Sequence, residues 1–348
     1  MKVCVIPGDG IGPEVIGAAV EVLRAVAPAV ELTEAEAGWA AFQRHGAALP
    51  TETLAAAKAA DAVLFGAVAS PSHSVPGYRS PIVALRRELD LYANIRPVVG
   101  LQIANCRLQS SEPIHNPQST ICNLVVVREN TEGLYAGRER LEDGGDTAIA
   151  ERVITRRASA RIVRAAFDLA RSRAVAGHPN PKVTIVHKAN VLRVSDGLFR
   201  TVALEIAAQY PDIGSEEMLV DVAAMRLAQT PERFDVVVAT NMFGDILSDV
   251  ACIHGGGLGV ASSANLGEGR ALFEPVHGAA PDIAGQGIAN PLAAIECVAM
   301  LLEWRHRAAS AAQVRAAAAS VLADGPRTPD MGGSSTTADV ARAVIDRL

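Results

Sequence analysis

Apolar and polar positions along this chain follow two periods. Short, nearly continuous apolar runs read as buried strands, and between them lie longer stretches with apolar residues at helical spacing. The first part of the chain predicts a strand over residues 3–6 and a helix over 13–26 that opens on proline. A helix over 51–59, a strand over 62–65, a helix over 82–89 and a strand over 92–96 follow. A second set predicts a strand over 123–127, a helix over 158–171, a strand over 183–187, a helix over 196–209 and strands over 218–220 and 235–239. Beyond Gly255-Gly256-Gly257 the pattern is mainly helical, notably over 291–305 and 308–322. Strand and helix alternating in this way imply a parallel α/β sheet.

Two stretches break the pattern. Residues 98–121 carry Pro, Ser and Asn without periodicity and are long for a loop in a compact domain. Residues 133–154 carry mixed charges around Gly144-Gly145, the composition of an exposed hairpin or arm.

Composition narrows the classes. The 348 residues are 49% hydrophobic and 20% charged, ordinary globular material with ample core for one large or two closely connected domains. No apolar run is long enough to cross a bilayer, and the N-terminus reads as a strand rather than a signal peptide. The five cysteines, Cys4, Cys106, Cys122, Cys252 and Cys297, are scattered and lack C-x-x-C spacing, as buried thiols of a reducing cytoplasm would be. A net charge of −6 argues against a nucleic-acid surface. Of 32 basic residues only Lys2, Lys58, Lys182 and Lys188 are lysine. A lysine in an arginine-using chain draws attention, because only lysine can lose its proton near neutrality.

Candidate chemistry gathers at the predicted strand ends. Asp245 and Asp249 follow the strand over 235–239 and lie four apart on a helix, so both carboxylates share one face. Held that close they repel, and an oxygen-binding cation such as Mg²⁺ or Mn²⁺ would relieve them; a solvated acidic helix face is the alternative. Arg96 and Arg128 end predicted strands and Arg86 lies in a helix. Guanidinium forks at a crevice suit a substrate with two or three carboxylates, although helical arginines usually face solvent. Lys188 closes one strand and Asp221 another, and Tyr135 carries a phenolic proton. Jointly they form a set of base, acid, cation ligands and anion clamps.

The opening Gly8-Asp9-Gly10-Ile11-Gly12 follows a strand and precedes a helix, yet its G-x-G-x-G spacing does not match the dinucleotide fingerprint. A second loop from Glu274 to Gly285 is dense in small residues, as a backbone wrapping a ligand would be. Its Asp282 is suited to accept hydrogen bonds from an adenosine ribose and to repel a 2′-phosphate.

Over nearly its whole length the chain resembles the isocitrate/isopropylmalate dehydrogenase family of β-hydroxyacid oxidative decarboxylases. The resemblance is carried by residues 6–14, 80–97, 127–135, 187–192, 240–249, 255–259 and 274–291. It implies a two-domain α/β fold with a non-Rossmann dinucleotide site. One domain is built from both chain ends, 1–97 plus 253–348, and the other from 98–252, with an arm around 133–154 that clasps a partner. It further implies a homodimer or tetramer with shared sites, in the cytoplasm, taking NAD and Mg²⁺ or Mn²⁺. Asp221, Asp245 and Asp249 would hold the metal, with Asp221 and Lys188 reaching in from the neighbouring subunit. Lys188 would take the hydroxyl proton while hydride passes to nicotinamide, and Tyr135 would protonate the enol carbon after CO₂ leaves. Arg86, Arg96, Arg128 and Asn190 would bind substrate. Ile11, Glu274, His277, Gly278, Ala279, Ala280, Asp282, Ile283 and Asn290 would bind the cofactor.

The segment Ser80-Pro81-Ile82-Val83-Ala84-Leu85-Arg86-Arg87 is similar to the homoisocitrate type. Ser80 offers a hydroxyl to a distal carboxylate and Ile82 an apolar wall, whereas some enzymes of that type have arginine where this chain has Val83. The implied reaction is conversion of homoisocitrate to 2-oxoadipate in lysine biosynthesis, with isocitrate and 3-isopropylmalate as alternative substrates. A non-catalytic subunit is the alternative of another class, and the full Lys-Tyr-Asp set argues against it. Asp282-Ile283 resembles the NAD-using pattern, which NADP-using relatives replace with Lys-Tyr.

Overall fold

A computed structural model describes residues 1–71, 73, 75–99 and 123–348. The expectations for residues 100–121, and for Cys106 and Cys122, lie outside the described residues.

The first part of the chain forms β1 (Lys2–Gly8), α1 (Gly12–Val26), β2 (Glu31–Glu34), α2 (Trp39–His45), α3 (Thr51–Ala59), β3 (Ala62–Ala67), α4 (Pro81–Glu88) and β4 (Ala93–Val99). The middle forms β5 (Asn123–Glu129), β6 (Glu139–Glu142), β7 (Thr147–Ala150), α5 (Arg156–Val175), β8 (Lys182–His187), α6 (Ser195–Ala207), β9 (Gly214–Leu219), α7 (Val220–Gln229), β10 (Val236–Ala239) and α8 (Asn241–Cys252). The last part forms β11 (Ser262–Gly267), β12 (Arg270–Pro275), α9 (Leu292–Trp304), α10 (Ala308–Asp324) and α11 (Thr337–Ile345). Among these, β6 and β7 pair as an exposed antiparallel hairpin within the expected stretch.

Ten strands make one sheet in the order β2-β1-β3-β12-β11-β4-β5-β10-β8-β9. The expected parallel sheet is corrected in its centre. There β12–β11, β11–β4 and β4–β5 are antiparallel, while the flanks are parallel. The hairpin β11–β12 was not expected at all. Its strand β11 buries Ser262, Ser263 and Asn265, so its polarity reads as loop, and the Glu268-Gly269 turn lacks the Asn-Gly or Asp-Gly pair that signals a hairpin.

Helices cover both faces, which is why the strands are apolar on both sides. On the half built from the chain ends, α1, α9, α10 and α11 pack Val15, Leu23, Ile295, Leu301, Val314 and Val344 onto one face. The opposite face receives Leu85 and Leu89 of α4 beside Phe65 of β3. On the half built from the middle, α5 and α6 bury Phe167 and Phe199 on one face, and α7 and α8 bury Leu227 and Leu247 on the other. Each such side chain contributes about 1.5–3 kcal/mol relative to exposure. The described cysteines, Cys4, Cys252 and Cys297, are buried free thiols as expected. Among the described residues no helix is long and apolar enough to cross a membrane.

Candidate active site

The carboxyl ends of β3 and β12, with the interior of β4, border a cavity of about 130 Å³ whose walls include Ile82, Arg86, Arg96, Glu274, His277 and Gly278. Residues expected to bind substrate thus meet residues expected to bind cofactor.

Arg86 lies in the last turn of α4 and is buried, against the tendency of helical arginines. The helix docks Leu85 and Leu89 into the core, and Glu274 Oε1 accepts from Arg86 Nη2 at 2.8 Å. Arg86 Nε is buried and has no partner among the described residues, a donor that suits an anionic ligand. Arg96 does not end its strand; it sits within β4, because antiparallel pairing with β5 continues to Val99. Arg128 is 1% exposed near the end of β5. Its Nε and Nη2 donate to Asn241 Oδ1 at 3.1 and 2.8 Å.

Helix α8 supplies the acidic pair. Arg96 reaches both members, Asp245 Oδ1 at 3.1 Å and Asp249 Oδ1 at 3.3 Å. Asp245 Oδ1 also pairs with Arg128, and its Oδ2 accepts the Tyr135 hydroxyl at 2.8 Å. Burial alone would raise the Asp245 carboxyl, but Arg128 and Arg96 outweigh it and hold it below the ordinary range. Asp249 goes the other way: burial raises it, Arg96 compensates only in part, and the neighbouring Asp245 charge raises it further. Such a pair, one arginine-held and one strained by like charge, fits a divalent cation. Burial and the bond to Asp245 raise Tyr135, so its hydroxyl keeps its proton. Burial, then repulsion from Arg96, lowers Arg128 to about 10.

A second cluster stands apart. Lys188 follows β8, and its ammonium pairs with Asp221. Asp221 does not end a strand; β9 stops at Leu219, and the aspartate occupies the first turn of α7. The Lys188 backbone N–H donates to buried Asp196 at 2.6 Å, and Asp196 pairs in turn with Arg152. Asn190 is exposed in the following turn. Within one chain, Asp221 does not join Asp245 and Asp249. Among the described residues no group of three His, Cys, Asp or Glu side chains is placed to hold a metal ion.

Around the cofactor loop, Ile11 N–H donates to Ala279 O at 2.9 Å. At Gly10, φ is +59° and a Cβ would stand 1.9 Å from Ala279 O. The Gly-rich turn therefore braces the second loop instead of presenting a phosphate nest, in keeping with its non-Rossmann spacing. Ala280 adopts φ +39°, Asp282 is exposed, and Ile283 packs against the core. His277 Nε2 is buried without a partner among the described residues, and burial lowers its pKa. An open carboxylate and an open imidazole nitrogen on one loop fit a nucleotide. Asn290 is used structurally: Nδ2 donates to Asp330 at 3.0 Å and Oδ1 accepts from Leu292 N–H at 3.0 Å. Ser80 precedes α4 with no capping bond from its side chain. Among the described residues the cavity walls include Ile82 but neither Ser80 nor Val83.

Sequence reasoning missed Asn241, Ser248, Asn94, Asp196 and Arg152. Of these, Asn241 and Ser248 lie inside the stretch that held the acidic pair, and their spacing from Asp245 was a usable signal.

An α/β sheet with anion-binding side chains gathered at one crevice is the architecture of a small-molecule enzyme. Comparison with known proteins narrows that class: the chain belongs to the isocitrate/isopropylmalate dehydrogenase family, whose model matches residues 2–344. It is 48% identical over 347 residues to an isocitrate/homoisocitrate dehydrogenase of Thermus thermophilus, covering 100% of this chain and 98% of that one. It is 47% identical over 347 residues to a 3-isopropylmalate/3-methylmalate dehydrogenase of Methanocaldococcus jannaschii, with the same coverage. The crystal structure of isocitrate dehydrogenase from Methylococcus capsulatus superposes with a TM-score of 0.91 at 43% identity, covering 99% of this chain and 98% of that one. The family comprises decarboxylating dehydrogenases that act on small hydroxy acids with a nicotinamide dinucleotide and a divalent metal.

Proposed function

We propose that the protein is an NAD-dependent homoisocitrate dehydrogenase that also accepts isocitrate, forming 2-oxoadipate and CO₂ from homoisocitrate. The observation that carries the reading is Asp245, which simultaneously receives Arg96, Arg128 and Tyr135. That one contact set brings anion clamps, a proton donor and a cation ligand to the same few ångströms.

Arg86, Arg96 and Arg128 bind and orient the carboxylates of the substrate. Lys188 removes the hydroxyl proton, and Tyr135, kept protonated by burial and Asp245, returns a proton to carbon after decarboxylation. Asp245 and Asp249, with the partner subunit's Asp221, would hold a divalent ion, which when bound would stabilise negative charge on the substrate oxygens, and the loop around Asp282 would hold NAD as the hydride acceptor. The exposed carboxylate of Asp282 favours NAD over NADP.

The active assembly is a homodimer or a tetramer, divided into lobes 1–97 plus 253–348 and 98–252 and clasped by the arm β6–β7. Its support is an apolar surface beside both acidic clusters: Val222 and Met225 on α7, Ile246 on α8, and Val191 and Val194 beyond Lys188 are exposed. Helices α7 and α8 pack together, which puts Val222, Met225 and Ile246 on neighbouring elements. The site lies with the soluble metabolic enzymes of the cytoplasm in this reading.

Within the family, identities of 48% and 47% to differently named relatives do not separate substrates. What supports the homoisocitrate reading is Ile82, which gives the cavity an apolar wall, together with Ser80, which lies just before α4 outside the cavity walls and makes no capping bond. The test is a side-by-side kcat/KM for homoisocitrate, isocitrate and 3-isopropylmalate with NAD and either Mg²⁺ or Mn²⁺. Homoisocitrate should lead with isocitrate close behind, since one methylene is worth about 1–3 kcal/mol. A lead for 3-isopropylmalate would overturn the reading.

A further inference from the structure

Behind the arginines lies a row of buried carboxamides that the chemistry above does not use. Asn265 of β11 is 0% exposed and stands opposite Asn94 of β4, which in turn stands opposite Arg128 of β5. Asn265 Oδ1 accepts from Asn94 Nδ2 at 2.9 Å and from Asn130 Nδ2 at 2.8 Å. Its Nδ2 donates to Glu274 Oε1 at 2.8 Å and to Leu272 O at 3.3 Å. Both donors and both acceptor positions of this amide are therefore engaged.

Each end of the row terminates on a guanidinium. Asn94 Oδ1 accepts from Arg96 Nε at 2.8 Å, which orients the plane that presents Nη1 and Nη2 to α8. Glu274 Oε1, the same oxygen that receives Asn265, accepts from Arg86 Nη2 at 2.8 Å. One buried amide thus connects two arginines that line the cavity. An amide buried without partners costs stability, and a saturated one contributes little net stability over an apolar side chain. Its value here is geometric, and it stands where strands from the two chain ends meet the strand leading to the middle of the chain.

We propose that Asn265 is a positioning residue: through Asn94 and Glu274 it fixes the spacing and orientation of Arg96 and Arg86 for a substrate carboxylate. The inference rests on the dehydrogenase reading for the identity of the substrate but not for the linkage itself. Asn265→Asp keeps the acceptor side of the row and replaces the donor to Glu274 with a second acceptor, which repels that carboxylate and releases Arg86.

The experiment is a double-mutant cycle of Asn265→Asp with Arg86→Lys, read as kcat/KM at saturating NAD and as isocitrate affinity by titration calorimetry. Melting temperatures are recorded for all four proteins. Asn265→Asp should lower kcat/KM and isocitrate affinity by about tenfold or more, and by less than about threefold when Arg86 is already lysine, because residues acting through one another are non-additive. Equal losses in both backgrounds, or a lower melting temperature with unchanged affinity, would overturn it. Should Asn265→Asp not fold, Asn265→Ser is run through the same cycle with the same criteria. Wild-type protein that binds isocitrate but forms no NADH would refute the dehydrogenase reading and leave the binding cycle to decide this one.

Discussion

A methyl group on Gly244 would stand 2.7 Å from the Cβ of Arg128 and 2.8 Å from its Cγ. The missing side chain lets α8 lie directly on β5, and the next residue, Asp245, meets the Arg128 guanidinium. Gly244→Ala should therefore force the helix outward. We expect a loss of about 1–3 kcal/mol in stability from overpacking, read by urea unfolding, together with a drop in kcat/KM. Unchanged kinetics would show that the contact does not depend on the close approach.

Asp245 and Asp249 should respond oppositely to neutralisation. The Asp245 carboxyl is held below its ordinary range, so its folded-state charge stabilises above the unfolded pKa and is lost only as pH falls through the lower folded value. The Asp249 carboxyl is raised, so stability falls as pH rises from the ordinary carboxylate value through the raised one. In chelator at pH 7, Asp249→Asn should raise the melting temperature and Asp245→Asn should lower it. Added Mn²⁺ should stabilise the wild type, by about 2.7 kcal/mol at a hundred times Kd, and Asp249→Asn far less.

The separation of Lys188 and Asp221 from the α8 pair makes a complementation test possible. Lys188→Ala and Asp245→Asn should each be inactive as homodimers. Unfolded together and refolded, they should regain about a quarter of wild-type activity, since half the dimers are mixed and each mixed dimer carries one intact site. No recovery, with mixed dimers demonstrated by mass spectrometry, would place all catalytic groups in one subunit.

Tyr135→Phe should lower kcat by about 10²–10⁴, the range for loss of a positioned proton donor, with a much smaller change in substrate KM. Because the Tyr135 hydroxyl is raised, it stays protonated through the neutral range, and this loss should be flat from pH 6 to 9. A loss that varied with pH would reassign the proton donor.

The cofactor loop permits a change of preference. Replacing Asp282 with Lys and Ile283 with Tyr removes the carboxylate that repels a 2′-phosphate and adds a cation. The ratio of kcat/KM with NADP to that with NAD should rise at least tenfold, about 1.4 kcal/mol. An unchanged ratio would remove Asp282 from cofactor recognition.

Much of the site was legible because it depends on short-range order. Asp245 and Asp249 fall on one face of any helix that contains both, and the apolar run before them requires a buried strand whose end opens at the crevice. Arg128 and Lys188 were readable at strand ends for the same reason. Arg96 and Asp221 were misplaced by a few residues, since strand length is set by the neighbouring strand and not by the residues themselves. Asn265 was invisible because an asparagine reads as a loop signal unless its partners are known, and Asn94, although inside the predicted strand over 92–96, carries no local sign of the distant groups it binds.

The sequence by itself determined the alternation of strand and helix, the family, and the residue types available for binding anions, a cation and a nucleotide. These follow from local periodicity and from motifs whose parts lie within one turn or one strand. Only the tertiary structure decided that β4 runs antiparallel to both its neighbours, that Arg86 turns inward to Glu274, and that Asn265 joins the arginines from behind. Those facts depend on contacts between residues far apart in the chain, more than a hundred positions for Arg86 with Glu274 and for Asn94 with Asn265, and no local pattern encodes which distant hydrogen-bonding group will satisfy a buried one.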